Sequence, residues 1–192
     1  EDSIQFKLAK RNLLVTFHPV TLENSTSESH FTHLINALNK LEETNIIFTK
    51  ANADTDGRVV NCLIDDYVKA HPEKAIVFDS LGQLRYLSAM QYVDGVVGNS
   101  SSGLLEAPTF KIGTVNIGDR QKGRIKAKSI IDCKPTKESI NAAIKTLYSN
   151  AFRKKLKHIT NPYGNGNAAR KIFKTLKKEP IPKNLKKEFF DL

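Results

Sequence analysis

The run Gly98-Asn99-Ser100-Ser101-Ser102-Gly103-Leu104-Leu105-Glu106 holds residue types that can grip a phosphate. It follows the apolar segment from Val93 to Val97 and leads into a short helix-like stretch. At a strand-to-helix junction the first backbone N–H groups lack internal partners and the helix dipole is positive, so an anion can supply the missing acceptors. Small residues let the backbone approach, and three hydroxyls can donate to phosphate oxygens. Glu106, one turn further, is an acceptor suited to a ribose diol. A Ser-rich capped turn would use the same residues, so the run alone leaves both readings open.

Polar residues also follow the other apolar runs. His18-Pro19, Asn52, Asp79-Ser80-Leu81-Gly82 and the segment Asp119-Arg120-Gln121-Lys122-Gly123-Arg124 each stand just beyond such a run. The cations of the last segment suit a diphosphate, as they would a solvated loop. His18 could be structural or could face a ligand. As a set, these positions favour a nucleotide cleft. The spacing of Asn52, Asp54, Asp56 and Gly57 resembles the opening of a calcium loop. Its twelfth position is Leu63, however, where a bidentate Glu is needed. Asp54, Thr55 and Asp56 are read instead as caps of the following helix. No metal site is expected. The chain also lacks a Walker glycine-lysine loop, an H-E-x-x-H pair and a G-x-S-x-G elbow.

These residues need elements that bring them to one edge. Leu13 to Phe17, Ile46 to Thr49, Ala75 to Phe78, Gly95 to Val97, Thr114 to Ile117 and Ser129 to Ile131 are short and mostly β-branched or otherwise apolar. Such runs suit parallel strands covered on both faces. Between them, His30 to Leu41, Val59 to Tyr67 and Leu84 to Met90 carry apolar residues at helical spacing. Alternating strand and helix predicts an α/β fold, a doubly wound parallel sheet of Rossmann type, whose ligands bind beyond the carboxyl ends of the strands. The polar segment Thr21 to Ser29 is expected to be a loop.

A length of 192 residues and 40% hydrophobic content predict one domain. Residues 1–144 hold 17 Lys and Arg against 17 Asp and Glu, while 145–192 hold 13 against 3, so the whole net charge of +10 is carboxy-terminal. Lysines alternate there with apolar residues at helical spacing, which predicts a solvated helix face. No stacking or groove-reading motif accompanies them, so nucleic acid is not an expected partner. There is no membrane-length apolar run and no signal-peptide pattern. Cys62 and Cys133 have no CxxC or Cys/His spacing and are expected to be reduced core thiols in a cytoplasmic protein.

Three segments together resemble a known family. Val15-Thr16-Phe17-His18-Pro19-Val20-Thr21, the Gly98 to Gly103 run with Glu106, and Asn116-Ile117-Gly118-Asp119-Arg120-Gln121-Lys122-Gly123-Arg124 are similar, in order and spacing, to the carboxy-terminal half of hydrolysing UDP-N-acetylglucosamine 2-epimerases. The resemblance covers residues 10 to 175. It implies the second Rossmann-like domain of a glycosyltransferase-B-type, two-domain enzyme that makes N-acetylmannosamine and UDP in sialic-acid or legionaminic-acid synthesis. Ser100 and Ser101 would hold the diphosphate, Glu106 the ribose hydroxyls, Arg120 the phosphates or the closed cleft, and the backbone near Leu81 the uracil. Asn52 and His18 would face the ligand, with His18 assisting departure of UDP.

A complete enzyme of this kind is about twice as long, and its first domain supplies the carboxylates for proton transfer. The expected partners are therefore UDP or a UDP-sugar, that missing amino-terminal domain, and a second copy of the full-length enzyme. No cofactor is implied. Glu1 in place of an initiator methionine suits an excised fragment, expected to bind UDP without turnover. Residues 1–178 would form the UDP-binding domain, and 179–192 a tail that packs on the missing domain. Two alternatives stay open: the UDP-binding half of a glycosyltransferase of the same architecture, and a non-enzymatic module acting through its basic end.

Overall fold

The computed structural model describes residues 3–20, 26–52 and 56–180. Six strands, β1 (Arg11–Thr16), β2 (Thr44–Thr49), β3 (Ala75–Phe78), β4 (Gly95–Gly98), β5 (Gly113–Ile117) and β6 (Ile130–Cys133), form one sheet in the order β3-β2-β1-β4-β5-β6. All five pairings are parallel, with Leu14 opposite Ile47 on one side and Val96 on the other. The helices are α1 (Ser27–Leu38), α2 (Gly57–Ala70), α3 (Gly82–Ala89), α4 (Ser102–Leu105), α5 (Lys137–Leu147), α6 (Asn150–Leu156) and α7 (Ala168–Lys178), with a 3₁₀ turn at Ala107–Phe110. This is the expected doubly wound α/β fold. The chain reverses direction across the sheet between β1 and β4, so their carboxyl ends flank the crevice where such folds hold ligands.

Side-chain alternation along the strands builds two cores. Leu13, Val15, Ile46 and Phe48 face α1, α2 and α5, whose Phe31, Leu34, Val60, Ile64, Ile140 and Ile144 complete the larger core. Leu14, Ile47 and Val96 face the other way, against Met90, Val93 and Ala107, with Phe6 and Leu87 packed on their rim. Each fully buried aliphatic side chain contributes roughly 1.5 to 3 kcal/mol. That energy fixes the strand ends from which the polar residues project.

Three expectations change. Helix α1 begins at Ser27, inside the segment expected to be a loop, and residues 21–25 of that segment lie outside the described residues. Cys62 is exposed rather than a core thiol: α2 buries Gly57, Val60, Ile64 and Tyr67, and a helical period turns position 62 away from that stripe. Cys133 is half-buried, and burial, helped by the Asp132 carboxylate, pushes its thiol up to about 12. Asp56 stands at the N-cap of α2 but makes no side-chain cap bond. The other two expected caps, Asp54 and Thr55, fall outside the described residues, as does the tail from residue 181.

The carboxy-terminal helices bear out the expectation of a solvated face. Every position of α7 is exposed, its lysines and its apolar residues alike. Among the described residues no helix is long and apolar enough to cross a membrane.

Candidate functional site

The turn after β4 is shaped by contacts that the sequence dictates locally. Gly98 ends the strand at φ +135°, and a Cβ there would lie 1.9 Å from the Thr16 carbonyl oxygen, so only glycine lets β4 close onto β1 before turning. Gly103 packs its backbone on Thr114 of β5, whose hydroxyl donates to the Gly103 carbonyl at 2.8 Å. Between these anchors Asn99, Ser100 and Ser101 lead into α4, with Ser101 at its N-cap and Glu106 at its C-cap.

A cleft of about 440 Å³ opens at the carboxyl ends of β1 to β4. It is lined by His18 from β1, Asn52 and Lys50 from β2, Ser80 to Gln83 from β3, and Ser102 and Glu106 from the β4 side. Four of the seven residues singled out from sequence, His18, Asn52, Leu81 and Glu106, thus converge on it. Ser100, Ser101 and Arg120 do not line it. Ser100 caps the turn, its Oγ accepting the Ser102 N–H at 3.4 Å. Arg120 is exposed and donates to the Asn99 carbonyl at 3.2 Å. Leu81 is buried at the N-terminus of α3, followed by Gly82 at φ +63°, which leaves this backbone at the cleft wall.

The histidine is held at both its backbone and its ring. Asn99 bonds its main chain in two places, and the Asn52 N–H donates to Nδ1 at 3.3 Å. An accepting Nδ1 carries no proton, so in the neutral ring the proton sits on Nε2, the tautomer that can donate to an anion. Lys50, at the same edge, is paired with Asp65 at 3.1 Å and Asp79 at 3.3 Å. The Asp65 bond, with a smaller one from Asp79, raises its pKa and keeps it a cation.

Sequence reading assigns no role of their own to Gln121 and Tyr86, and it places Asn99 and Ser102 only within the serine-rich run, Ser102 as one of its three hydroxyls. Tyr86 Oη and Ser102 Oγ are buried without a partner in hydrogen-bond geometry among the described residues. Burial pushes the Tyr86 phenol up, offset in part by the nearby Ser102 and Thr16 hydroxyls, while Glu106 reinforces the rise. A polar Tyr within an otherwise apolar α3 face was the available signal. Gln121 sits between the cations that drew attention, yet it is 1% exposed and its Nε2 donates to the Asn99 carbonyl at 2.7 Å. Among the described residues no group of three His, Cys, Asp or Glu could hold a metal ion.

Residues 1–177 match the family model described as UDP-N-acetylglucosamine 2-epimerase. The chain is 40% identical, over 193 residues, to the GDP/UDP-N,N'-diacetylbacillosamine 2-epimerase (hydrolyzing) of Campylobacter jejuni, a match covering 100% of this chain and 50% of that protein. It is 33% identical over 187 residues to polysialic acid biosynthesis protein P7 of Escherichia coli, covering 96% of this chain and 47% of that one. In fold it resembles the UDP-GlcNAc 2-epimerase from Neisseria meningitidis, solved bound to UDP-GlcNAc, with a TM-score of 0.71, 16% identity, and coverage of 88% and 45%. The chain therefore spans about half the length of the curated relatives it matches.

Proposed function

Since the chain belongs to the UDP-N-acetylglucosamine 2-epimerase family, we propose that it is the nucleotide-sugar-binding half of a hydrolysing 2-epimerase converting UDP-N-acetylglucosamine and water to N-acetylmannosamine and UDP. The observation that carries this is the convergence of His18, Asn52, Leu81 and Glu106 on one cleft beside the β4–α4 turn. In the reaction a base removes the proton at sugar C2 while the bond from C1 to the diphosphate oxygen breaks. Water then adds across the C1–C2 double bond, its hydroxyl going to C1 and a proton to the opposite face of C2.

This half supplies the grip on the leaving group. Ser100 and Ser101, through their hydroxyls and backbone N–H groups, receive the diphosphate, with Arg120 supporting them from the β5 loop. Glu106 accepts from the ribose hydroxyls, and the backbone at Leu81 meets the base. The Nε2–H of His18 donates to the departing phosphate oxygen, where negative charge develops as the bond breaks. The carboxylates for proton transfer come from the other half of the enzyme, and the isolated chain binds UDP without turnover. The same proposal gives residues 1–178 to the UDP-binding domain and lets 179–192 pack on that other half. It sets the reaction in the cytoplasm and the full-length enzyme in a homo-oligomer.

The 2-epimerase names of the family model and of the 40% identical relative favour hydrolytic epimerisation over sugar transfer to an acceptor. The relative's name also supports a second sugar, the N,N'-diacetylbacillosamine form, which shares the 2-acetamido group and the diphosphate. Calorimetric titration with UDP, GDP and CMP tests the site. UDP is expected to bind, and Ser101→Ala and Glu106→Ala are each expected to weaken it about tenfold, the worth of one hydrogen bond to a charged group. Unchanged affinity in both variants would sink the site assignment.

A further inference from the structure

The two best-placed hydrogen bonds at the cleft edge belong to Asn99, which does not line the cleft. Its Oδ1 accepts the His18 N–H at 2.7 Å and its Nδ2 donates to the His18 carbonyl at 2.7 Å, so one carboxamide serves both main-chain groups of the histidine. Those two groups also fix which way the carboxamide points, since an N–H needs an acceptor and a C=O needs a donor. The parallel ladder between β1 and β4 ends at Thr16 and Gly98, just before these residues. Beyond that point the β4 chain must turn away to form the serine-rich loop, and its backbone can no longer pair with residue 18. The Asn99 side chain carries the pairing on.

Asn99 is itself held on every side. It is 1% exposed, and its N–H donates to the Thr16 carbonyl at 3.2 Å. Its carbonyl receives Gln121 Nε2 at 2.7 Å and the Arg120 guanidinium at 3.2 Å. One residue therefore ties together the end of β1, the first position of the phosphate loop and the β5 loop.

We propose that Asn99 is a positioning residue for His18, fixing the imidazole relative to the loop that holds the departing diphosphate. It has this role only if His18 acts as proposed above. A displacement of the proton donor by an ångström or less is enough to slow a proton transfer severely, whereas the hydroxyl and backbone grip on the diphosphate would be little changed. The signature is a loss in kcat with little change in KM, and it depends on the presence of the imidazole.

A double-mutant cycle in a turnover-competent form of the enzyme carrying this chain tests it. Asn99→Asp keeps the shape and one acceptor but sets a carboxylate oxygen against the His18 carbonyl. It is expected to lower kcat about tenfold to a hundredfold with KM within about threefold, and to change the residual rate of the His18→Ala enzyme by less than about threefold. Equal losses in both backgrounds, or a loss confined to KM, would overturn the proposal and leave Asn99 a purely structural link. Should Asn99→Asp not fold, Gln121→Met removes the 2.7 Å bond to the Asn99 carbonyl at similar volume. It is expected to slow the wild-type background about fivefold and the His18→Ala background less than about twofold, with the same overturning result. A His18→Ala enzyme with full turnover would remove the role of His18 and this proposal with it. Failure of Ser101→Ala and Glu106→Ala to weaken UDP would instead strike the diphosphate and ribose contacts alone.

Discussion

The turn after β4 and the helix α7 both stand out in the sequence, the first for its hydroxyls and the second for its lysines, and the fold treats them in opposite ways. At the turn, Asn99 is 1% exposed and bonded through side chain and backbone to β1 and the β5 loop. In α7, Ile172, Phe173 and Leu176 are exposed along with the neighbouring cations, at 58%, 65% and 73%. In this basic chain the charge excess lies away from the candidate cleft. Beside that cleft a buried polar group, Asn99, is bonded to the backbone of His18 and so holds a cleft-lining side chain in one place.

The strongest way to break that contrast is through glycines of positive φ, one in the β4 turn and one in the segment that leads into α7. Gly98→Ala places a Cβ 1.9 Å from the Thr16 carbonyl oxygen, in a backbone conformation L residues rarely adopt. We expect a loss of about 3 kcal/mol or more, seen in urea unfolding as a sharply lowered midpoint or as insoluble protein. Gly164→Ala, at φ +106° with nothing within 4 Å of the new Cβ, is expected to lose about 1 kcal/mol from backbone strain alone. Equal losses would mean that the β4 turn is no more constrained than the carboxy-terminal segment.

The sheet was legible because its four central strands are covered on both faces, and a run such as Leu13 to Phe17 is apolar without alternation yet too short for a helix. The convergence of His18, Asn52, Leu81 and Glu106 followed from parallel strands, whose polar exits must share an edge. Asn99 was not legible as a partner of His18, since the two lie 81 residues apart and a bond of that kind leaves no local pattern. Gln121 was hidden by its neighbours: Arg120 and Lys122 attract attention as cations, but the residue between them is the one that turns inward. The exposed Cys62 could have been found by counting the α2 period from Val60 and Ile64, a helical argument that the apolar neighbours Val59 and Leu63 obscured.

If burial defines the ordered part of the molecule, alkaline pH should attack it through its enclosed phenols and thiol. Burial pushes Tyr67 up to about 12 and Cys133 up to about 12, and Tyr148 likewise to about 12 with a further rise from Asp94. Each folded value lies above its unfolded one, so the folded state keeps protons the unfolded chain has already released. The stability these groups confer is therefore intact below about pH 9 and falls as pH climbs toward 12. Urea midpoints measured at pH 8.5 and 11 should show the decline. Tyr67→Phe, which removes one such group from between Phe48 and His71, should lessen it by about 1 to 2 kcal/mol. An unchanged decline would show that Tyr67 does not titrate with the fold.

The smallest effect is expected where the sequence is most conspicuous. Ile172 and Phe173 look like half of an amphipathic helix core, and in a chain where α7 packed on the sheet their joint replacement by Ser would cost several kcal/mol. Exposed at 58% and 65%, they have little transfer energy to lose. Ile172→Ser with Phe173→Ser should therefore move the stability of this chain by no more than about 0.5 kcal/mol and leave its UDP affinity within about twofold. Helix content would fall only by the contribution of α7, since the apolar face contributes nothing to the two cores. A drop of several kcal/mol would show that α7 is bound to the body of the molecule in solution, and the contrast with the pinned β4 turn would then vanish.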